Sequence, residues 1–300
     1  GQDFIFGGAG VVKIFGEEGN DTIAGGEGND SIEGGEGIDT VSYFDANSVT
    51  VTLRGATNGT GDVTYGATTY TDKLYGIENI IGSVGNDTLQ GNEGDNILNG
   101  AGGNNTVSYS GAAAGVTVDL GISTQDTIGD GRDTLIGFDN LIGSNLDDTL
   151  RGNANSNVIK AGGGDDVIYG IGGANYLYGG LGNDTIIGKV SGSDFIDGES
   201  GNDKVDYSNL ASTNYITVNL GATTSRNDEN NVSQSVYQIS INGGDSDYVK
   251  NISVFEGSAG NDIFTVTNGT YEFIGGSGDD TFNGTNFTGV VINGSNHTID

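Results

Sequence analysis

A chain of 300 residues with 57 glycines, 34% hydrophobic and 8% aromatic content is a poor recipe for one compact core, yet suits repeats that pack only on their neighbours. The formal charge of -31, from 41 acidic against 10 basic side chains, argues against nucleic acid and anionic membrane surfaces and favours bound cations. Cys, Met, Trp and Pro are absent, so disulfide staples and thiol nucleophiles are excluded, and no run approaches the roughly 18 apolar residues of a membrane span.

The first residues, Asp3 to Phe6, read as the second half of a phrase whose glycines are missing, so the sequence is expected to be an excerpt of a longer chain. The phrase itself is Gly-Gly-x-Gly-x-Asp-x-U-x, with U large and apolar. Residues 25–33 (GGEGNDSIE), 34–42 (GGEGIDTVS) and 179–187 (GGLGNDTII) spell it almost letter for letter. Half-turns begin at Gly7, Gly16, Gly25 and Gly34, then at Gly82, Gly91 and Gly100. A third block runs from Gly143 through Gly152, Ala161, Gly170, Gly179 and Gly188 to Gly198, and a fourth holds Gly257 and Gly275.

Glycines that accept φ > 0 turn the backbone tightly, and the x-U-x triplet alternates sides as a short strand. The inward column is then Ile5, Ile14, Ile23, Ile32, Val41, Leu89, Leu98, Val107, Leu150, Ile159, Ile168, Leu177, Ile186 and Val205, widening to Phe264, Phe273 and Phe282. Two phrases make one flattened coil, and successive coils stack as parallel strands about 4.8 Å apart.

Longer segments interrupt the repeat. Each opens on a Tyr triplet (Val41-Ser42-Tyr43, Val107-Ser108-Tyr109, Val205-Asp206-Tyr207) and continues with a β-rich phrase, VTVTL at 49–53, VTVDL at 116–120 or ITVNL at 216–220. Each closes alike, at 72–83, 133–144 and 247–258. The expected organisation is repeat blocks at 1–42, 82–108, 143–206 and 257–300, with β-rich insertions at 43–81, 109–142 and 207–256. The polar middles 57–62, 126–133 and 226–231 are expected to be surface loops, and Asp130, Asp133, Asp245 and Asp247 are further cation candidates.

The repeated phrase resembles the RTX, or hemolysin-type calcium-binding, repeats of proteins exported by bacterial type I secretion. That resemblance implies an all-β fold, a right-handed parallel β-roll or β-helix solenoid. It also implies Ca²⁺ held between turns eighteen residues apart by carbonyls of the glycine turn and the sixth-position Asp. In this sequence the Asp positions are Asp3, Asp21 and Asp39 on one edge of the first block, with Asp30 opposite; Asp87 in the second; Asp148, Asp166, Asp184 and Asp203 with Asp194 opposite in the third; and Asp262 and Asp280 in the fourth. The glycine turns that accompany them include Gly16, Gly34, Gly143, Gly179, Gly198, Gly257 and Gly275. Asn96, Asn105, Asn157 and Asn175 occupy the same place without a charge, so metal is expected to favour the Asp edges.

Carboxylates stacked at about 5 Å repel by roughly 3 kcal/mol per neighbouring pair at an effective dielectric near 20. An Asp edge therefore opposes its own fold until a cation joins it.

His297 is the only histidine, which removes His-based zinc sites and Ser/His/Asp triads, and the chain is not expected to be an enzyme. His297 itself is expected in an exposed loop. One outward column, Arg151, Lys160, Tyr169, Tyr178 and Ile187, invites glycan contact, although outward Tyr more often forms a packing ladder. The expected function is a calcium-folded structural segment of a secreted or cell-surface protein, of adhesin or surface-layer type, with self-association through calcium. The alternative is the repeat module of an exported hydrolase or toxin whose catalytic domain lies elsewhere.

Overall fold

A computed structural model of the chain describes residues 1–53, 59–242, 244–267, 269–284, 291–294 and 297–299. Among the described residues all regular structure is β-strand, most strands are three residues long, and most pairings are parallel. The chain divides into two compact units, Gly1–Asn145 and Leu146–Asp300.

In the first unit, strand Phe4–Phe6 pairs with Thr22–Ala24, which pairs in turn with Thr40–Ser42, Asn79–Ile81, Ile97–Asn99 and Arg132–Ile136. The intervening phrases form the other face. There Lys13–Phe15 pairs with Ser31–Glu33 and then Thr68–Tyr75, while Ser48–Thr52 pairs with Thr88–Gln90, Thr106–Ser108 and Asn140–Ile142. Register follows the nonapeptide: Ile5 lies beside Ile23, Ile14 beside Ile32, and Leu89 beside Val107.

The second unit repeats the plan. One face stacks Thr149–Arg151, Val167–Tyr169, Thr185–Ile187, Lys204–Asp206, Val254–Glu256 and Glu272–Gly276. The other stacks Val158–Gly163, Tyr176–Leu181, Phe195–Ser200 and Ser246–Lys250, then, beyond an antiparallel excursion, Ile263–Val266, Asp280–Gly284 and His297–Ile299.

Antiparallel pairs enter where the nonapeptide lapses. Ser48–Thr52, Gly59–Tyr65 and Thr68–Tyr75 form one meander, Ile216–Asn227, Ser233–Ile241 and Ser246–Lys250 another, and Thr124–Asp126 folds back on Arg132–Ile136. All three expected loops are thereby corrected in part: residues 59–62, 126, 132–133 and 226–227 are strand, because each interruption continues as an antiparallel hairpin. Residues 57 and 58 lie outside the described residues.

The core is the inward column. Ile23, Ile32, Val41, Leu89, Leu98, Val107, Leu150, Ile159, Ile168, Leu177, Ile186 and Val205 are fully buried, while Ile5, on the outermost coil, is half-buried. Near the C-terminal end the column becomes aromatic, with Phe264 and Phe282 stacked at 4.9 Å and Phe273 5.1 Å from Phe264. Each nonapeptide contributes one apolar knob to this core. Each coil gains roughly 1.5–3 kcal/mol per buried aliphatic knob, which leaves its turns to find stability elsewhere.

Candidate metal centres along the aspartate ladder

At the sixth position of each phrase the side chain points back under its own glycine turn and reaches the coil before it. Asp21 Oδ1 accepts the backbone N–H of Asp3 at 2.8 Å, Asp39 Oδ1 that of Asp21 at 2.8 Å, and Asp30 Oδ1 that of Val12 at 2.9 Å. In the third block Asp166, Asp184 and Asp203 accept from Asp148, Asp166 and Asp184 at 2.7, 2.9 and 3.0 Å. Asp280 accepts from Asp262 at 2.9 Å. One carboxylate oxygen thus ties coil to coil, a backbone role that an Asn can share: Asn175 Oδ1 accepts from Asn157 at 2.9 Å.

The second oxygen separates the turns into kinds. In Asp21, Asp30, Asp39, Asp166, Asp184, Asp203 and Asp280, Oδ2 is buried and receives no hydrogen bond. A buried ionised oxygen without a donor costs several kcal/mol unless a charge meets it or it takes a proton. Burial pushes up the carboxyls of Asp166, to about 8, and Asp203, to about 6, and those of Asp30, Asp39, Asp184 and Asp280 in the same direction. Asp280 Oδ2 lies 3.4 Å from His297 Nδ1 without hydrogen-bonding geometry. His297 is in a strand with its side chain only 13% exposed, a correction of the loop expected for it; its register beside Asp280 draws it inward.

Elsewhere other groups of the turn meet the sixth-position side chain. Ser83 donates its N–H to Asp87 Oδ2 at 2.6 Å and its hydroxyl to Oδ1 at 2.7 Å, and Ser258 does the same for Asp262 at 2.7 and 2.9 Å. Asn96 and Asn157 close on the N–H groups of Asn92 and Asn153, at 2.8 and 2.9 Å. At Asp194 a lysine fills the turn. Lys189 Nζ lies 2.9 Å from Asp194 Oδ1 and donates to the carbonyls of Gly172 and Gly173 at 3.2 and 2.9 Å, an ammonium among the donors a metal would use.

The three Tyr triplets supply another kind of closure. Tyr109 Oη donates to Asp133 Oδ2 at 2.9 Å and Tyr207 Oη to Asp247 Oδ2 at 2.6 Å, while Oδ1 of these residues accepts from Asn96 and Asp194. Tyr43 is 1% exposed, and after burial itself the neighbouring Asp72 charge is what most raises its phenol. Asp72 Oδ1 continues the ladder by accepting from Asp30 at 2.9 Å. The sequence marks these tyrosines as the opening of each interruption and the aspartates as its close; their pairing across 40 residues in the third case is visible only in the fold. Tyr207→Phe is expected to cost about 2 kcal/mol, because it leaves a buried carboxylate oxygen without its donor. Denaturation in saturating calcium reads that loss, with the number of bound ions unchanged.

Among the described residues no three His, Cys, Asp or Glu side chains converge on one point, so an ion here must also draw on backbone carbonyls. The turns present them. A Cβ placed on Gly35 would lie 2.0 Å from the carbonyl oxygen of Glu17, and one on Gly201 1.5 Å from that of Gly182. Carboxylate plus carbonyl oxygens suit a hard cation such as Ca²⁺. The predicted residues Asp3, Asp148, Gly16, Gly34, Gly143, Gly179, Gly198, Gly257 and Gly275 all lie on these turns or the ladder. Asp3 is exposed, and it meets Asp21 through its backbone.

The outward stripe is rearranged by the fold. Nine-residue steps alternate between faces, so Arg151, Tyr169 and Ile187 align on one sheet and Lys160 and Tyr178 on the other. Arg151 sits 4.9 Å over the Tyr169 ring and Lys160 5.4 Å over that of Tyr178. Lys160 also pairs with Glu229 at 2.9 Å, and Tyr178 Oη donates to the same carboxylate.

The family model of the RTX calcium-binding nonapeptide repeat (4 copies) matches residues 13–41, 74–107, 142–176, 172–189 and 191–209. No curated protein matches the chain. Among solved structures, the crystal structure of extracellular lipase LipA from Serratia marcescens is similar at 16% identity and a TM-score of 0.14, over 84% of this chain and 38% of the lipase. The chain thus spans well under half the length of that enzyme. Turn sequence and ladder register agree with that family match: residues 13–41, 74–107, 142–189 and 191–209 are similar to RTX calcium-binding nonapeptide repeats.

Proposed function

We propose that the chain is a non-catalytic, calcium-folded structural segment of a large secreted or cell-surface protein, of adhesin or surface-layer type. Each unit would be a stretch of right-handed parallel β-roll, with blocks 1–42, 82–108, 143–206 and 257–300 separated by insertions 43–81, 109–142 and 207–256. The observation that carries this reading is the set of buried Oδ2 atoms without donors at Asp21, Asp30, Asp39, Asp166, Asp184, Asp203 and Asp280. These, with the turn carbonyls around them, would hold Ca²⁺. The ion supplies the positive charge that the stacked carboxylates lack, while the protein's own part is to fix the oxygens in register.

Where Ser, Tyr or Lys already satisfies the aspartate, the coil would close without metal. The chain would leave the cell unfolded, since extracellular modules of this affinity meet enough calcium only outside. Calcium titration followed by static light scattering tests the assembly part of the proposal. Growth beyond the monomer mass is expected as the acidic surface is neutralised. A mass that stays monomeric through saturation would remove self-association and leave a calcium-folded spacer.

A further inference from the structure

Asp130 occupies the third position of its turn, three residues before Asp133. In the repeat blocks Glu18, Glu27, Glu36 and Glu93 hold this position and are all exposed. Asp130 instead is 4% exposed, although it lies between strands. The turn that carries it is pinned at both ends. Thr127 donates its N–H and its hydroxyl to the carbonyl of Gly131 at 2.9 and 2.8 Å, and Gly129 N–H donates to Thr127 O at 2.7 Å. Gly131, at φ +84°, seats the turn against the carbonyls of Glu93 and Gly94 one coil below; a Cβ there would lie 2.5 Å from the Gly94 oxygen. The backbone that carries Asp130 is therefore fixed against the coil below.

It points into a cavity of about 390 Å³ lined by Gln90, Asn92, Glu93, Gly111 and Leu53. Its polar side chains among the described residues are the two carboxylates and two amides. Among the described residues no donor reaches the Asp130 carboxylate, and the charges that act on it, Asp133 first and then Glu93, are both negative. Asp133 gives no relief, since its own oxygens are taken by Tyr109 and Asn96.

We propose that this cavity is a divalent-cation site outside the nonapeptide ladder, in which Asp130 and Glu93, from successive turns, hold Ca²⁺ with amide and backbone oxygens. It differs from the ladder in using the third position rather than the sixth. A hard cation with several oxygen ligands and no strict geometry fits such a donor set. Its effect would be to fasten the hairpin Thr124–Asp126 and Arg132–Ile136 to the coil beneath it.

The proposal rests on calcium binding by the chain as a whole, and the test separates the two. Native mass spectrometry of the full chain in calcium should count one ion fewer for Asp130→Asn than for the natural sequence. Glu93→Gln, at an exposed position that does not threaten the fold, should weaken one calcium by about tenfold. Far-UV circular dichroism reports whether each variant is folded. A folded Asp130→Asn that keeps the full count, or a Glu93→Gln that titrates like the natural chain, would overturn the third-position site while leaving the ladder intact. A chain that binds no calcium at all would overturn both.

Discussion

Stripping calcium from the folded chain is expected to abolish most of its β-sheet signal at neutral pH, with recovery on adding back calcium at about 10⁻⁴ to 10⁻³ M. The expectation follows from the balance of the coil. Its core is built from one apolar knob per nonapeptide, and its Asp edges stack carboxylates whose Oδ2 atoms meet no donor among the described residues. The formal charge of -31 offers few internal cations to compensate. Lys189 beside Asp194 is one, and Lys250 beside Asp197 and Lys204 beside Asp206 are others, at 2.9–3.0 Å. None of these reaches the donorless oxygens.

Protons should substitute in part. Burial raises the folded-state pKa of Asp166 to about 8 and of Asp203 to about 6 above their unfolded values, so protonation favours the folded form. That contribution is complete below the unfolded pKa near 4 and is lost as pH rises through about 6 to 8. Calcium-free chain should therefore show more β-structure at pH 5 than at pH 8. Circular dichroism of metal-free protein at the two pH values, with and without calcium, measures both effects. A spectrum indifferent to chelator at neutral pH would sink the calcium-folding reading.

Much of this was legible in the sequence because the nonapeptide couples position to environment. The sixth-residue aspartates fall on the two edges and the eighth-residue aliphatics on the two faces in alternation, as the nine-residue spacing requires. What the spacing could not tell was how each carboxylate's second oxygen is satisfied. Asp194 and Asp203 look equivalent in the phrase, yet Lys189, five residues before Asp194, fills one turn, while Asp203 Oδ2 meets no donor. Asp87 and Asp262 differ from Asp184 by a serine at the second position, where the third-block turn has Gly180. A hydroxyl or ammonium at such a place is a local sequence signal, readable once the role of the oxygen is known. The Tyr207–Asp247 pair is not local, and only the return of the chain after a hairpin brings it together. The stripe of Arg151, Lys160 and Tyr178 failed for a simpler reason: side chains nine residues apart stand on opposite faces.

The tightness of turn on turn leads to the second large effect. Gly180→Ala is expected to destabilise the calcium-loaded third block by about 3 kcal/mol or more and to weaken calcium there. Gly180 has φ +116°, and a Cβ built on it lies 2.1 Å from the carbonyl oxygen of Gly162. The neighbouring turn cannot retreat, because Gly162 and Gly180 are register partners inside the pairing of Val158–Gly163 with Tyr176–Leu181. Moving one turn would strain that ladder and displace the carbonyls around Asp166 and Asp184. Gly8→Ala provides the contrast, since Gly8 has φ +87° but open space where its Cβ would go. It should incur only the left-handed backbone strain, roughly 1–2 kcal/mol. Urea denaturation in saturating calcium, with ion counting on both variants, separates close approach from backbone strain. Equal losses at the two positions would mean that turn stacking adds nothing to the stability of the calcium-loaded coil.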